Sequence, residues 1–325
     1  MKILITGGCG FIGHHIVEHI IKNTNWHIVI FDKLSYASNG FDRLRDINVF
    51  DEKRVNILTV DFSRKISDGI MKETSDIDYI LHLGAETHVD NSIKDPESFV
   101  ITNVLGTMYM LDYARSLKKL KRFIYFSTDE VFGPAPEGIF YKEWDRYNST
   151  NPYSATKAGG EELSLAYANT YKLPVIITHT MNVFGERQHP EKFVPMTVKK
   201  ILNNETVLIH SDQTKTKPGS RFWIHARNVA SAILFLLEKS EIREKYNIVG
   251  EKEVNNLEMA QFIAKALNKK LKYRMVDFHS SRPGHDLRYA LDGTKLKKMG
   301  WKTPVNFEGS LKKTIKWMIA HPKWL

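Results

Sequence analysis

The sequence predicts an α/β protein, a doubly wound parallel sheet followed by a smaller, mixed α/β lobe. Three observations lead there. In the first half, short β-branched runs alternate with longer amphipathic stretches, with few hairpin signals between them, as parallel strands joined by crossover helices require. The first run opens into a glycine-rich turn and then a helix. After about residue 180 the rhythm changes to helices separated by brief strands, with Pro and Gly at the joints.

Taken in chain order, residues 2–6 read as the first strand and residues 11–22 as the helix that follows the turn. Further strands are expected at 27–31, 55–60, 79–83, 122–127 and 175–178. The clearest remaining helices of this half are 96–117 and 152–171, the second with Asn151 as cap and Pro152 in its first turn. In the second half, helices are expected at 193–202, 229–237, 257–267 and 311–320, and strands at 207–210 and 271–276. Pro218, Gly219, Pro283, Gly284 and Pro304 punctuate the joints. The division is into residues 1–180 and 181–325, with a soft boundary because the strand at 175–178 belongs to the sheet.

Composition removes several classes of function. With 42% hydrophobic residues, the chain has the material for a core and is not mostly disordered. A single cysteine, Cys9, excludes an internal disulfide framework and a Cys-rich zinc site, so no metal is expected. No apolar run approaches the roughly 20 residues that span a bilayer, and the short run at 3–5 stops in glycines, so no leader is visible and a cytoplasmic protein is expected. Lys and Arg total 47 against 37 Asp and Glu, a net +10 that fits nucleic acid, a membrane surface, an acidic small substrate, or nothing in particular.

Residues 7–13 read GGCGFIG, with Gly7, Gly10 and Gly13 at three-residue spacing between a strand and a helix. Glycine is needed where a turn must admit positive φ and bring backbone N–H groups close to a pyrophosphate, and the helix N-terminus adds unpaired donors. Asp32 ends the second strand, where a carboxylate accepts from the adenosine ribose and repels a 2′-phosphate, favouring NAD over NADP. Cys9 reads as a small residue filling a tight turn.

Tyr153 and Lys157 stand four residues apart on one face of the helix that starts at 152. A free phenol titrates near pH 10, and a neighbouring ammonium together with a positively charged nicotinamide brings it into range as a base. The strand at 122–127 runs into Thr128, Asp129 and Glu130, at the end of the sheet where ligands bind in such folds. Repulsion, burial or both can leave one of the two acids protonated and the other ionised, so that each serves a separate proton transfer.

These segments resemble the extended short-chain dehydrogenase/reductases, and among them the dTDP-glucose 4,6-dehydratases. The resemblance runs from residue 2 to about 292 through GGCGFIG (7–13), DKLSYAS (32–38), HLGAETHVDNSI (82–93), TNVLGT (102–107), STDEVFG (127–133), PYSATKAG (152–159), NVFG (182–185), PEKFVP (190–195) and RPGHDLRYALD (282–292). It implies a Rossmann-type first domain that binds NAD and carries the catalytic residues, a nucleotide-sugar lobe after it, and a homodimer joined through the helices around 96–117 and 153–171. Tyr153, with Lys157 behind it and Thr128 beside it, would take the C4 hydroxyl proton of an NDP-glucose as hydride leaves. Glu130 would then remove the C5 proton and Asp129 protonate the departing C6 hydroxyl, before hydride returns to C6 and gives the 4-keto-6-deoxy sugar.

By the same resemblance, Gly7, Gly10, Phe11, Ile12, Gly13, Asp32, Lys33, Leu34, Ser35, Asp61, Phe62, Leu83, Gly84, Ala85, Thr87, Thr102 and Val183 would line the cofactor's path. Thr87 would also reach the glucosyl hydroxyls, and Asn182, Lys192, Phe193, Arg221, Asn256, Arg282 and His285 would hold the nucleotide and its diphosphate. His82 and His88 read as structural, and Glu86 and Asp90 as local hydrogen-bond partners. The chain departs from the family at Val183, which replaces a second Asn, at Phe222, Ala226, Arg227, Asn228 and Val229, in a shortened bridge at 134–151, and in a lengthened stretch at 211–220 bearing Lys215 and Lys217. These departures bear on which nucleotide is bound. Two other readings use the same residues: a nucleotide-sugar 4-epimerase or decarboxylase, relatives that lack the Asp–Glu pair, and more remotely an NAD-binding scaffold on nucleic acid. Against the latter, the basic runs at 118–122, 269–272 and 295–298 fall at helix ends or on polar faces.

Overall fold

A computed structural model describes residues 1–278 and 286–325. The centre is a seven-stranded parallel sheet with strand order β3-β2-β1-β4-β5-β6-β11. Its strands are β1 (Lys2–Thr6), β2 (His27–Asp32), β3 (Val55–Thr59), β4 (Tyr79–His82), β5 (Arg122–Thr128), β6 (Val175–Thr180) and β11 (Lys245–Ile248). The order reverses between β1 and β4, which opens a crevice at their carboxyl ends.

Alternate residues of each strand feed opposite faces. Ile3, Ile5, Ile28, Ile30, Leu81 and Ile124 pack with α1 (Phe11–Asn23) and α9 (Ala226–Lys239). Leu4, Val29, Ile80, Phe123, Tyr125 and Ile177 pack on the other face with α6 (Gly106–Ser116) and with Ala168 of α7 (Pro152–Tyr171). Both faces are therefore buried, as a parallel sheet demands.

Most predicted elements fall within a residue or two of their expected ends, and two differences have physical causes. The expected helix at 96–117 is α5 (Pro96–Phe99), a π-helical stretch (Val100–Leu105) and then α6. The π stretch holds Asn103, whose side chain donates to Glu86 O and Thr156 Oγ1 and accepts from Glu86 N. Widened helical turns of this kind concentrate at functional sites. Strand β11 was not expected, because KYNI looks polar; its Lys245 and Asn247 are nonetheless buried against partners from β6 and the 134–151 segment.

Helix α9 and strand β11 lie beyond residue 180 in sequence yet complete the sheet and its cover. The rest of the second half forms its own core, in which α8 (Phe193–Leu202), α10 (Asn256–Ala266) and helix Phe307–Ala320 pack around Phe184, Val207, Ile209 and Trp223. The lengthened stretch after β8 (Val207–Ser211) is closed by Asp212, which accepts from the Thr214 hydroxyl and from the Thr216 and Lys217 amides. Those bonds, the Thr214 hydroxyl foremost, hold its carboxyl down at about 2.

Candidate active site

A cavity of about 340 Å³ lies over the carboxyl ends of the central strands. Its floor is the turn after β1. Gly7 sits at φ +73°, and a Cβ there would come within 2.8 Å of Gly84 Cα. A Cβ on Gly13 would lie 2.2 Å from Gly7 O. Gly10 caps α1 with no side-chain bond to the first amides, which leaves those donors for an anion. Asp32 braces the turn, accepting from Cys9 N at 3.0 Å and from Leu34 N at 2.9 Å. The cradle thus fits a dinucleotide's pyrophosphate, with an acid beside the ribose position.

Gly10, Phe11, Ile12, Asp32, Lys33, Ser35, Phe62, Leu83, Gly84, Ala85, Thr87, Thr102 and Val183 all line this cavity, together with Asn182 and Lys192. Lys33, in this lining, pairs with Glu86 at 2.7 Å. Two expected cofactor residues do not line it. Leu34 turns to the apolar core, with its backbone at φ +55°. Asp61 is exposed and accepts from the amide and hydroxyl of Ser63, while its neighbour Phe62 packs against Gly84.

The chemical end of the cavity is made by β5 and α7. Thr128 Oγ1 donates to Asp129 Oδ1 at 3.0 Å and accepts from Glu130 N. Glu130 Oε2 accepts from Asn151 Nδ2 at 3.3 Å. Asn151 is also the cap of α7, since its Oδ1 accepts from Ser154 N at 2.8 Å. One residue therefore fixes both the start of the Tyr153 helix and the direction of the Glu130 carboxyl. The sequence shows the cap but not this second task. Asp129 Oδ2 is buried without a hydrogen-bond partner among the described residues.

The two acids differ as two proton carriers should. Burial, reinforced by Glu130, pushes Asp129 up to about 7, so it holds its proton near neutrality. Burial also raises Glu130, while the Asn151 bond and Arg221 pull it back. Tyr153 is raised by burial and by the Glu130 charge, and a hydrogen bond with Thr128 opposes them. Lys157 is buried with its Nζ 4.2 Å from the centre of the Tyr125 ring, and burial brings its ammonium down to about 7 against the pull of Glu161. Burial and the acid pair thus raise the phenol, and the lowering expected from Lys157 is not among the influences on it.

His82 is held between Thr6 Oγ1 at 2.8 Å and Thr107 Oγ1 at 3.1 Å, and burial depresses it to about 3, which fits a neutral structural ring. Three expected nucleotide-binding residues stand off the cavity. Phe193 packs on Trp223. The backbone N–H of Asn256 donates to Gly219 O at the start of α10. The Arg221 guanidinium donates to the carbonyls of Ser220, Leu287 and Asp286, and acts on the acid pair by its charge. Arg282 and His285 lie outside the described residues. Tyr36, Gln188, His189 and Glu191, which sequence reasoning did not single out, join the lining. Among the described residues, no group of His, Cys, Asp and Glu is arranged to hold a metal ion.

Residues 4–314 match the model of the family described as GDP-mannose 4,6 dehydratase. The chain is 35% identical over 348 aligned positions to an Escherichia coli dTDP-glucose 4,6-dehydratase, covering 100% of this chain and 94% of that one. In structure it is similar to the dTDP-glucose 4,6-dehydratase DesIV from Streptomyces venezuelae, solved with NAD bound, at a TM-score of 0.90, 32% identity, and coverage of 100% and 98% of the two chains. A Thermus thermophilus UDP-glucose 4-epimerase, also solved with NAD, gives a TM-score of 0.86 at 26% identity over 98% of this chain and 99% of that one.

Proposed function

The chain belongs to the nucleotide-sugar family described as GDP-mannose 4,6 dehydratase, in its dTDP-glucose 4,6-dehydratase branch, and from that premise we propose that it is an NAD-dependent NDP-glucose 4,6-dehydratase acting on dTDP-glucose, UDP-glucose or both. The observation that carries the reading is the acid pair: Asp129 and Glu130 line one cavity with Tyr153 and Lys157, Asp129 raised by burial to about 7 and Glu130 raised by burial against the opposing Asn151 bond and Arg221 charge. An epimerase needs the Tyr and Lys alone; elimination of water needs an acid and a base as well.

When bound, NAD supplies the acceptor for the C4 hydride and the donor for C6. Burial and the acid pair hold the Tyr153 phenol up, so it would take the C4 hydroxyl proton once the positively charged nicotinamide beside it favours the phenolate, with Thr128 hydrogen-bonded to it. The resulting ketone acidifies C5, whose proton Glu130 removes and to which a solvent-exchanged proton returns once C6 has received its hydride. Asp129, protonated near neutrality, gives its proton to the C6 hydroxyl, which leaves as water. Thr87, Asn182 and Lys192 line the cavity on the way to the nucleotide, and Arg282 and His285 are assigned to its diphosphate from sequence.

Residues 1–180 and 181–325 are taken as the cofactor and nucleotide-sugar domains, with α9 and β11 returning to the first. The enzyme is taken as a cytoplasmic homodimer joined through the helices around 96–117 and 153–171, consistent with exposed Ile93, Val100, Ile101 and Tyr171 on that side. No helix among the described residues is long and apolar enough to cross a membrane. Light scattering on the purified protein tests the dimer. Anaerobic turnover of dTDP-glucose and UDP-glucose, with alkali-induced absorbance of the product, tests the activity: a ketosugar is expected, and a galactose epimer with no ketosugar refutes it.

A further inference from the structure

Beneath the catalytic helix lies a buried polar cluster that none of the steps above uses. Its centre is Glu161, on α7 one turn beyond Lys157, as Lys157 is one turn beyond Tyr153. One helix face therefore carries a phenol, an ammonium and a carboxylate in sequence. Glu161 is fully buried. The hydroxyl of Ser127, the residue before Thr128 on β5, donates to its Oε1. Its Oε2 accepts from the Tyr147 hydroxyl, lies 3.0 Å from His179 Nε2 and 3.8 Å from Lys245 Nζ. Asn247 of β11 bonds the far nitrogen of His179 at 2.9 Å.

A carboxylate without solvent is costly unless cations and donors surround it, and this one is supplied from β5, β6, β11 and the 134–151 segment. A cluster serving only to tie these elements together would work as well with neutral groups. Its place on the Lys157 face gives the charge a use. Burial pushes the Glu161 carboxyl up, but His179 and the hydroxyl donors outweigh it, so it stays ionised. The groups around the Lys157 ammonium are Tyr125 from β5, His82 from β4 and Glu161 on its own helix, with Tyr153 one turn before it on the same face. His82 is neutral and Tyr125 is held protonated by burial, leaving Glu161 as the anion that opposes the desolvation of Lys157.

We propose that Glu161 is a positioning residue for the redox steps, acting through Lys157 to keep a positive charge beneath Tyr153. The proposal rests on the dehydratase reading for the steps it serves, but not for the charge it controls. The test is Glu161→Gln beside Glu161→Asp in the holoenzyme. The first measurement is the rate of C4 oxidation, read as NADH absorbance after mixing with dTDP-glucose across pH. For the Gln variant the alkaline limb should move down by about one pH unit or more, with a rate at least ~10-fold lower at pH 8 and KM little changed. The Asp variant should recover most of it. The second measurement needs no substrate: the Lys157 ammonium is titrated by NMR in lysine-labelled protein, and its midpoint should fall in the Gln variant. Should Gln alone prevent folding by stranding His179, the pair Glu161→Gln/His179→Gln replaces both partners with neutral amides and should show the same shift. An unmoved Lys157 midpoint, or a loss of rate uniform across pH, overturns the proposal. Wild-type protein that makes no NADH from either sugar nucleotide, with the Lys157 shift intact, counts against the dehydratase reading instead.

Discussion

Replacing Asp129 with Asn should make the protein more stable as pH rises while crippling elimination. Asp129 is buried, one of its oxygens lacks a partner among the described residues, and its carboxyl moves from 3.8 to about 7. The folded state therefore binds this proton more tightly than the unfolded chain. That contribution is complete below pH about 4, shrinks as pH rises, and is lost once pH passes about 7. At about 1.36 kcal/mol per unit, the cost of ionisation is about 4 kcal/mol above pH 7 and about 1.5 kcal/mol at pH 5. Asn escapes this cost. Any price of its own amide is independent of pH, so the informative quantity is the change in the difference between variant and wild type. That change is about 2–3 kcal/mol between pH 5 and 8, or about 4 °C in Tm for a chain of this length. Melting curves of Asp129→Asn and wild type at the two pH values read it. A Tm difference that stays constant, or that moves against the variant at pH 8, refutes the assignment of Asp129 as the protonated acid. In turnover, the variant should still form NADH but release little ketosugar.

Other substitutions separate the remaining roles. Glu130→Gln should retain C4 oxidation and lose incorporation of solvent hydrogen at C5, with turnover down by about 10²–10⁴-fold; NMR of product formed in D2O checks this. Tyr153→Phe should abolish NADH formation while far-UV circular dichroism stays native, because the phenol oxygen's hydrogen bond among the described residues is to Thr128 at the site and not to the sheet or its covering helices. Gly13→Ala would press a methyl to 2.2 Å from Gly7 O, a backbone atom with little freedom to yield, and should cost about 1–3 kcal/mol and most of the bound NAD, measured after gel filtration. Asp32→Ala frees the Cys9 amide and removes the acid at the ribose position, so the preference for NAD over NADP in titrations should weaken by at least ~10-fold.

The parts of the fold legible in sequence were those with a local signal. β-branched runs marked the six leading strands, and Asn151 with Pro152 marked the start of α7 to the residue. β11 escaped because its polar residues are satisfied by groups far away in sequence, Glu161, Tyr147 and Glu143 among them. The site divided in the same way. The glycine turn, the acid pair and the Tyr–Lys face are each contiguous, and the cavity gathers them. Leu34 and Asp61 stood beside true lining residues, Lys33 and Phe62, and only the turn geometry shows which of each pair faces inward. Arg221 carries the charge expected near a phosphate, but three carbonyls hold its guanidinium in place. Glu161 and His179 are 18 residues apart on different elements, and neither signals the other along the chain.

The most direct test of the chemistry is the fate of one hydrogen. NDP-glucose carrying deuterium at C4 is turned over by the holoenzyme, and the product is examined by NMR and mass spectrometry. Deuterium recovered at C6 of the same sugar, with one water lost and one solvent hydrogen at C5, is the expected result. Deuterium retained at C4 in a sugar of inverted configuration, with the C6 hydroxyl intact, would contradict it.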